Sequence, residues 1–331
     1  MKKMIALLLA LLMAVGMLAG CAKQNDDDTN DTTDELRIVT TIFPEYDWVK
    51  AVLGDKAEHA DITMLLDNGV DLHSYQPTAD DIVKISDCDL FIYVGGESEG
   101  WVEDALKNSA NKDRKVINLL DVLGDSVKSE EVVEGMQEEE HEHEEGEAHE
   151  HEEEADEHVW LSLKNAEVLV GAISNALQAL DAENKEIYAA NADAYMKKLS
   201  ALDAEYQTAV DNASCKTVLF GDRFPFRYLV DDYGLNYYAA FIGCSAETEA
   251  SFETVSFLAK KADELKLPCV LTIEGKHHKI AETIVKNTAQ KSQKILTMDS
   301  MQSTTSKDVA SGTTYLSVME KNLAVLKEAL A

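Results

Sequence analysis

Strand and helix patterns alternate in two rounds along this chain, and this alternation constrains the fold more than any other feature. In the first round, β-rich runs such as residues 36–42 and 89–94 are followed by segments with helical spacing. A similar alternation runs from residue 216 to the end of the sequence. Strands that alternate with helices form parallel sheets covered on both faces. The sequence therefore predicts an α/β protein of two lobes, each with a parallel sheet flanked by helices.

A long helical stretch separates the two rounds. Residues 182–212 contain neither glycine nor proline. A helix of this length would extend for about 45 Å at about 1.5 Å per residue, which is longer than one lobe needs. We therefore predict a rigid helix that joins an amino-terminal lobe, residues 36–181, to a carboxyl-terminal lobe, residues 213–331.

The amino terminus has the pattern of an export signal. Lys2 and Lys3 precede an apolar run over residues 4–18, and small residues then lead to Cys21. This ending resembles the lipobox of bacterial lipoproteins, with an ordinary signal peptide or an uncleaved anchor as the alternatives. Residues 1–20 are thus predicted to be a signal peptide, and residues 21–35 a lipidated, acidic and disordered spacer. The mature chain would lie outside the cytoplasm, anchored to the cell membrane through the lipid on Cys21.

An acidic, histidine-rich loop spans residues 137–157. It is too charged to form a core of its own. Imidazole nitrogens and carboxylate oxygens recur along it, which favours weak binding of metal ions. An acidic solvated linker is the alternative. The formal net charge of -32 also argues against a nucleic-acid partner and suits a protein that attracts cations. The predicted weak sites are His141, His143, His149 and His151.

The other cysteines are Cys88, Cys215, Cys244 and Cys269. They form no Cys-x-x-Cys pair and have no zinc-finger spacing, so we predict buried free thiols rather than metal ligands. A disulfide between Cys215 and Cys269 remains open, because each begins an apolar run and the two runs could form neighbouring strands.

Candidate metal ligands lie where predicted strands end. Ligands of open parallel sheets bind at the carboxyl ends of the strands, and His73, His158, Asp222 and Asp299 all lie near such positions. Two imidazoles and two carboxylates suit zinc or manganese. Taken singly, the histidines could be surface residues, Asp222 could cap a helix or pair with Arg223, and Asp299 could belong to a turn.

Two motifs carry a family resemblance over most of the chain. Residues 69–78 read Gly-Val-Asp-Leu-His-Ser-Tyr-Gln-Pro-Thr, which resembles a Gly-x-Asp-Pro-His-x-Tyr-x-Pro-Thr signature with Leu72 in the place of proline. The segment His158-Val159-Trp160-Leu161 resembles a second histidine motif. Both motifs are typical of the substrate-binding lipoproteins of bacterial zinc and manganese ABC transporters. The resemblance implies that a metal ion lies between two lobes, that His73 and His158 bind it, and that Asp299, in a terminal Asp-Ser pair, contributes from the second lobe. The histidine-rich loop resembles that of zinc-type members.

The second half departs from the family pattern at the third ligand. That position reads Arg223, and a guanidinium has no lone pair to offer a cation. Asp222 is the predicted substitute, with Arg223 paired to an acid such as Asp231 or Glu247. The donors held in reserve are Glu247, Glu249, Glu274, His277 and His278.

The function implied by the resemblance is capture of zinc outside the membrane and delivery to an ABC-transporter permease by a monomer that is not an enzyme. The alternatives are a manganese-binding counterpart, a surface adhesin or metal buffer, and a zinc-dependent hydrolase. Against the hydrolase, the sequence has no His-Glu-x-x-His and no phosphate-binding glycine loop.

Overall fold

The structure is a computed structural model that describes residues 35–107, 109–137, 154–245, 249–275 and 277–331. The predicted signal peptide, the predicted lipidation site Cys21 and the four loop histidines, His141, His143, His149 and His151, lie outside the described residues. The strands β1 to β8 are Leu36–Thr40, Ala60–Met64, Leu90–Tyr93, Lys115–Asn118, Thr217–Phe224, Asn236–Ile242, Cys269–Thr272 and Lys294–Thr297. The helices α1 to α11 are Phe43–Leu53, Ala79–Asp87, Val102–Lys107, Leu119–Leu123, Leu163–Leu180, Lys185–Asp211, Arg227–Tyr233, Phe252–Glu264, Lys279–Asn287, Ser306–Ala310 and Tyr315–Ala329.

The two sheets have the same strand order. The first sheet runs β2-β1-β3-β4 and the second runs β6-β5-β7-β8, and all their pairings are parallel. Their central strands are apolar and buried, as expected for parallel sheets with helices on both faces. The predicted α/β class with two parallel sheets is therefore confirmed. In each sheet the second strand pairs on one side of the first strand, and the third and fourth strands follow on its other side. Ligands of such sheets bind at this switch in strand order.

The long helix α6 contacts both halves of the chain. Near its beginning, Asn191 Nδ2 donates to the carbonyl of Val52 on α1 (3.0 Å). Near its end, Tyr206 Oη donates to the carbonyl of Met319 on α11 (2.6 Å). Its bounds, Lys185–Asp211, fall just inside the predicted range. None of the described helices is both long and apolar enough to cross a membrane.

The last helix, α11, ties the second half of the chain back onto the first. Tyr315, at its start, stacks edge to face on Trp48 of α1, with ring centroids 5.1 Å apart. The Tyr315 Oη donates to the carbonyl of Trp160 (2.7 Å), and Trp160 Nε1 donates to the carbonyl of Ser300 beyond β8 (2.9 Å). The residues that follow β8 therefore lie beside the segment that carries His158.

Strand β5 is irregular at the position of one predicted ligand. The sequence predicts that this strand ends at Gly221 and that Asp222 follows in a turn, but β5 continues to Phe224, with a register shift between Phe220 and Arg223. An irregularity of this kind turns a side chain away from its regular direction. Helix α9 packs directly on the backbone here, since a Cβ on Gly221 would lie 2.6 Å from Ala281 Cα.

Candidate metal centre

Two histidine rings meet at the carboxyl end of the first sheet. The Nε2 atoms of His73 and His158 lie 3.2 Å apart. His73 is in the short 3-10 helix Leu72–Ser74, where the Asp71 carboxylate accepts a hydrogen bond from the His73 backbone N–H (3.0 Å). The His158 side chain is fully buried, and that of His73 is 9% exposed. The structure thus brings together the two predicted ligands that lie 85 residues apart in the sequence.

Asp156 fixes the tautomer of His158. Its Oδ1 atom lies 2.9 Å from His158 Nδ1, and a carboxylate can only accept, so Nδ1 carries the proton. The His158 Nε2 lone pair then points at His73. Asp156 is itself held in place, because Tyr228 Oη donates to its carbonyl (2.8 Å). A carboxylate behind an imidazole is the usual support of a metal-binding histidine, and the sequence analysis did not assign this role to Asp156.

The second ring nitrogen of His73 faces oxygen atoms. His73 Nδ1 lies 2.7 Å from Ser98 Oγ and 3.5 Å from Glu157 Oε2. With its proton on Nδ1, the ring donates to these oxygens and keeps a lone pair on Nε2. Burial, reinforced by His158, lowers the pKa of His73 to about 3, so the imidazole is neutral near pH 7. Two lone pairs that meet at 3.2 Å repel each other unless a cation lies between them.

Cys244 completes a group of three candidate donors. Its Sγ atom and one ring nitrogen from each of His73 and His158 all lie within 4.8 Å of one another. The Cys244 backbone N–H donates to Glu130 Oε1 (3.0 Å). Burial and Glu130 raise the pKa of the Cys244 thiol, which is therefore protonated in the metal-free protein. No sequence motif predicts this residue as a ligand; the available signal is its position two residues beyond β6, at the carboxyl edge of the second sheet.

The other cysteines match the prediction in part. The four cysteines among the described residues are free, so Cys215 and Cys269 form no disulfide. Cys88 and Cys269 are buried, whereas Cys215 and Cys244 are only partly buried.

Arg223 forms an ion pair with Asp71, the residue that caps the short helix of His73. The predicted pairing with Asp231 is wrong, because Asp231 lies against Lys128 and Arg227 instead. Glu247, the other predicted partner, is outside the described residues. The ion pair links strand β5 of the second sheet to the loop of the first sheet that carries His73.

Asp299 lies in the segment beyond β8 and is not among the three grouped donors. Its backbone is fixed by Asn322, which accepts from the Asp299 N–H and donates to its carbonyl, both at 2.8 Å. The segment reaches His73 through the Gln302 side chain. Burial and the neighbouring Glu274 raise the pKa of Asp299 to about 6. A cation beside Asp299 would relieve this crowding of carboxylates.

Glu274 supports the Asp299 segment. Its Oε2 accepts from the Ser300 backbone N–H (2.7 Å), and its Oε1 accepts from Ser300 Oγ (2.8 Å) and from the Gln302 N–H (3.1 Å). Both oxygens are therefore engaged, so this reserve donor is better suited to holding the segment than to binding a metal ion.

Asp222 lines a cleft of about 760 Å³ that is also lined by Asp71 and Ser74 of the loop that carries His73. Like Asp299, it is not one of the three grouped donors. Its Oδ1 accepts from the Arg223 N–H (3.0 Å) and its Oδ2 from the Ile273 N–H (3.4 Å). Burial raises the pKa of its carboxyl. Further polar residues at this cleft are Asp71, Arg223, Glu249, His277 and His278.

The fold and the site together define a class: two-lobe α/β proteins with a candidate metal centre at the carboxyl ends of paired parallel sheets. Comparison with known families assigns the chain within that class. The model of the family described as "Zinc-uptake complex component A periplasmic" (ZnuA) matches residues 38–329, and the chain belongs to this family. The predicted family, whose members are substrate-binding proteins of transport systems, is confirmed.

Two curated relatives are similar over nearly the whole chain. The zinc-binding lipoprotein AdcA of Streptococcus pneumoniae serotype 4 is 34% identical over 328 residues, which are 99% of this chain and 61% of AdcA. The high-affinity zinc uptake system protein ZnuA of Bacillus subtilis strain 168 is 31% identical over 315 residues, 95% of this chain and 94% of the relative. The chain thus spans less than two thirds of AdcA, 61%, but nearly all of the Bacillus protein.

Solved structures share the fold. The Zn(II)-bound ZnuA-like domain of Streptococcus pneumoniae AdcA superposes with a TM-score of 0.69 at 31% identity, covering 89% of this chain and 99% of that domain. The metal-dependent lipoprotein YcdH of Bacillus subtilis superposes with a TM-score of 0.71 at 27% identity, with the same coverage of 89% and 99%.

Proposed function

We propose that this protein captures zinc outside the cytoplasmic membrane and delivers it to the permease of an ABC transporter. The observation that carries the proposal is the meeting of His73 Nε2 and His158 Nε2 at 3.2 Å. A tetrahedral zinc ion with Zn–N distances of about 2.05 Å separates two ligating nitrogens by about 3.3 Å, which agrees with this spacing. Membership of the ZnuA family and the zinc-binding relatives support the same conclusion.

The second half of the chain contributes carboxylates to the proposed site. Asp299 and Asp222, the two carboxylates expected from the sequence, are the candidate donors. The contact between Trp160 and the Ser300 carbonyl holds the Asp299 segment against the His158 segment. Asp222 borders the cleft that Asp71 and Ser74, from the loop of His73, also line. No bond of the cargo is made or broken in this function, so the protein needs no catalytic residue.

The remaining parts of the chain fit a tethered carrier. We propose that the lipid on Cys21 holds a monomer at the membrane surface. The histidines of the acidic loop, His141, His143, His149 and His151, would concentrate zinc weakly near the cleft.

Replacement of His73 tests the proposed site. We expect His73→Ala to lose tight, stoichiometric zinc binding in isothermal titration calorimetry, because one of the two facing imidazoles is gone. His59→Ala is the matched control, since His59 is exposed at the end of the 3-10 helix Gly54–His59. Tight binding that survives in His73→Ala, or disappears equally in His59→Ala, would show that the facing pair is not the site.

Delivery needs a separate experiment. In a strain that lacks its own zinc-uptake binding protein, the wild-type chain expressed with its permease should restore growth under zinc chelation, and His73→Ala should not. A metal buffer without a transport role would bind zinc in solution yet leave growth unrestored.

A further inference from the structure

We propose that Cys244 is a zinc ligand, that it takes the third position which Arg223 cannot serve, and that its thiolate makes the site selective for zinc over manganese. This inference rests on the proposed function, since it adds a donor to the site of His73 and His158. The fourth position is left to a carboxylate, Asp299 or Asp222.

The distances among the three donors fit one zinc ion. With Zn–S of about 2.3 Å and Zn–N of about 2.05 Å, tetrahedral geometry places the sulfur about 3.6 Å from each nitrogen. The sulfur and both nitrogens already lie within 4.8 Å of one another. Each sulfur–nitrogen distance therefore has to shorten by no more than about 1.2 Å for the three atoms to bind one ion.

The backbone before Cys244 is shaped to pass His158. A Cβ on Gly243 would lie 2.9 Å from His158 Cε1 and 3.0 Å from the carbonyl oxygen of Phe224. Because Gly243 has no side chain, the backbone after β6 can pass in contact with the His158 imidazole. The next residue is Cys244, which places its thiol near that ring. On its other side, the Cys244 N–H is held by Glu130 (3.0 Å).

The neighbouring strand explains why a donor is needed here. Arg223 on β5 pairs in register with Phe241 on β6, and Cys244 follows Phe241 by three residues. The Arg223 guanidinium points to Asp71, where the ion pair holds it. The second lobe thus has on β5 a guanidinium that cannot bind zinc, and just beyond the adjacent strand β6 a sulfur that can.

A thiolate changes which metal ion the site prefers. Soft thiolate ligands favour zinc, whereas manganese prefers carboxylate, carbonyl and water oxygens. When the Zn–S bond forms, the Cys244 thiol releases its proton to water, and the zinc ion takes the place of that proton. A site of two imidazoles, one thiolate and one carboxylate is therefore a zinc site and a poor manganese site.

Cobalt(II) reports the sulfur directly. Bound to the wild-type protein without zinc, it should give a thiolate-to-cobalt charge-transfer band in the near ultraviolet. Cys244→Ser should lose the band, and Cys215→Ser, which changes a partly buried cysteine outside the group of three donors, should keep it. A wild-type protein that binds one cobalt(II) without this band would overturn the inference, and this result needs no variant to fold.

Competition titrations measure how much Cys244 contributes to zinc affinity and to the preference for zinc over manganese. Loss of a residue that only supports a ligand costs roughly 10- to 100-fold in metal affinity, so Cys244→Ser should weaken zinc binding by at least about 100-fold. Manganese binding should change little, and Cys215→Ser should match the wild type for both ions. Thermal unfolding of the metal-free Cys244→Ser protein establishes that the variant is folded.

The outcomes separate this inference from the proposed function. If the wild type binds zinc tightly through His73 while Cys244→Ser binds equally well, Cys244 is no ligand and the proposed function stands. If the wild type binds no zinc tightly, both fail.

Discussion

Two carboxylates of the second half compete for the remaining ligand position. The Asp222 oxygens already accept backbone N–H groups from Arg223 and Ile273. One Asp299 oxygen accepts from the Met301 N–H (2.8 Å), and its carboxyl is crowded by Glu274. A zinc ion would relieve that crowding, whereas at Asp222 it would compete with existing hydrogen bonds.

Alanine variants distinguish these two residues. We expect Asp299→Ala and Asp222→Ala each to weaken zinc binding, with the larger loss, about 100-fold or more, at Asp299. Glu274→Ala should do less, because Glu274 acts by holding the Asp299 segment. Calorimetry on the three variants checks this order, with Glu320→Ala, which changes an exposed acid on α11, as the control. Normal binding by Asp299→Ala together with its loss in Asp222→Ala would reverse the assignment.

The sequence predicts candidate ligands within motifs better than candidate ligands that depend on how separate elements pack. His73 and His158 could be predicted because each lies in a local pattern that also sets its backbone. Cys244 could not, because its relation to the histidines depends on how β6 lies beside β5 and how closely Gly243 passes His158. The partner of Arg223 was missed for a similar reason, since Asp71 lies 152 residues away in the chain.

At the scale of elements, the end of β6 packs so closely on His158 that Gly243 has no room for a side chain. Gly243→Ala would introduce a Cβ 2.9 Å from His158 Cε1, so either the imidazole or the strand end must shift. Because such a shift separates the donors, we expect weaker zinc binding with little loss of thermal stability in the metal-free protein. Gly171→Ala is the control, since a Cβ there, on helix α5, meets no atom within 4 Å. Unchanged zinc affinity in Gly243→Ala would show that the contact does not set the donor positions.

The strands could be predicted, but the irregularity in β5 could not. β-branched and aromatic residues in short runs identify strands from sequence alone. The register shift at Gly221 and Asp222 depends on pairing with β6 and on the approach of Ala281 from α9. Neither β6 nor Ala281 is adjacent to Gly221 in the sequence, and a glycine after an apolar run predicts the end of a strand.

At the scale of the whole molecule, buried carboxyl groups in the first half make stability depend on pH. Glu45 and Glu99 are almost fully buried, and Thr41 bonds to Glu45 through its N–H (2.8 Å) and hydroxyl (3.2 Å). Glu157 is a further acidic neighbour of Glu99. Burial, helped by Glu157, raises the pKa of Glu99 to about 7. Burial and Glu99 likewise raise the pKa of Glu45.

Glu99→Gln tests this dependence. A carboxyl whose pKa is higher in the folded than in the unfolded chain stabilises the fold fully below the unfolded value, near 4.5, and this contribution is lost as the pH rises through about 7. The variant should therefore gain free energy of unfolding relative to the wild type above pH 7, by up to about 3 kcal/mol, since each pKa unit corresponds to about 1.4 kcal/mol. Below about pH 4.5 it should gain nothing.

Urea unfolding of the metal-free proteins across this pH range measures the difference. Glu103→Gln, which changes an exposed acid on α3, is the control. A constant difference between wild type and Glu99→Gln at every pH would show that Glu99 does not titrate on unfolding. His73 acts with the opposite sign, since its lowered pKa removes stability as the pH falls from about 6.5 towards about 3.

The hydrogen bonds from Tyr315 to Trp160 and from Trp160 to Ser300 cross between the halves within buried surroundings. Together with α6, they leave the two lobes little freedom to swing apart. We therefore expect the ion to enter a pocket that is already formed, so that the rate of capture is limited by how fast zinc sheds its water. Escape should be slow for the same reason, and a docked permease would have to distort this frame before the ion could leave on the timescale of transport.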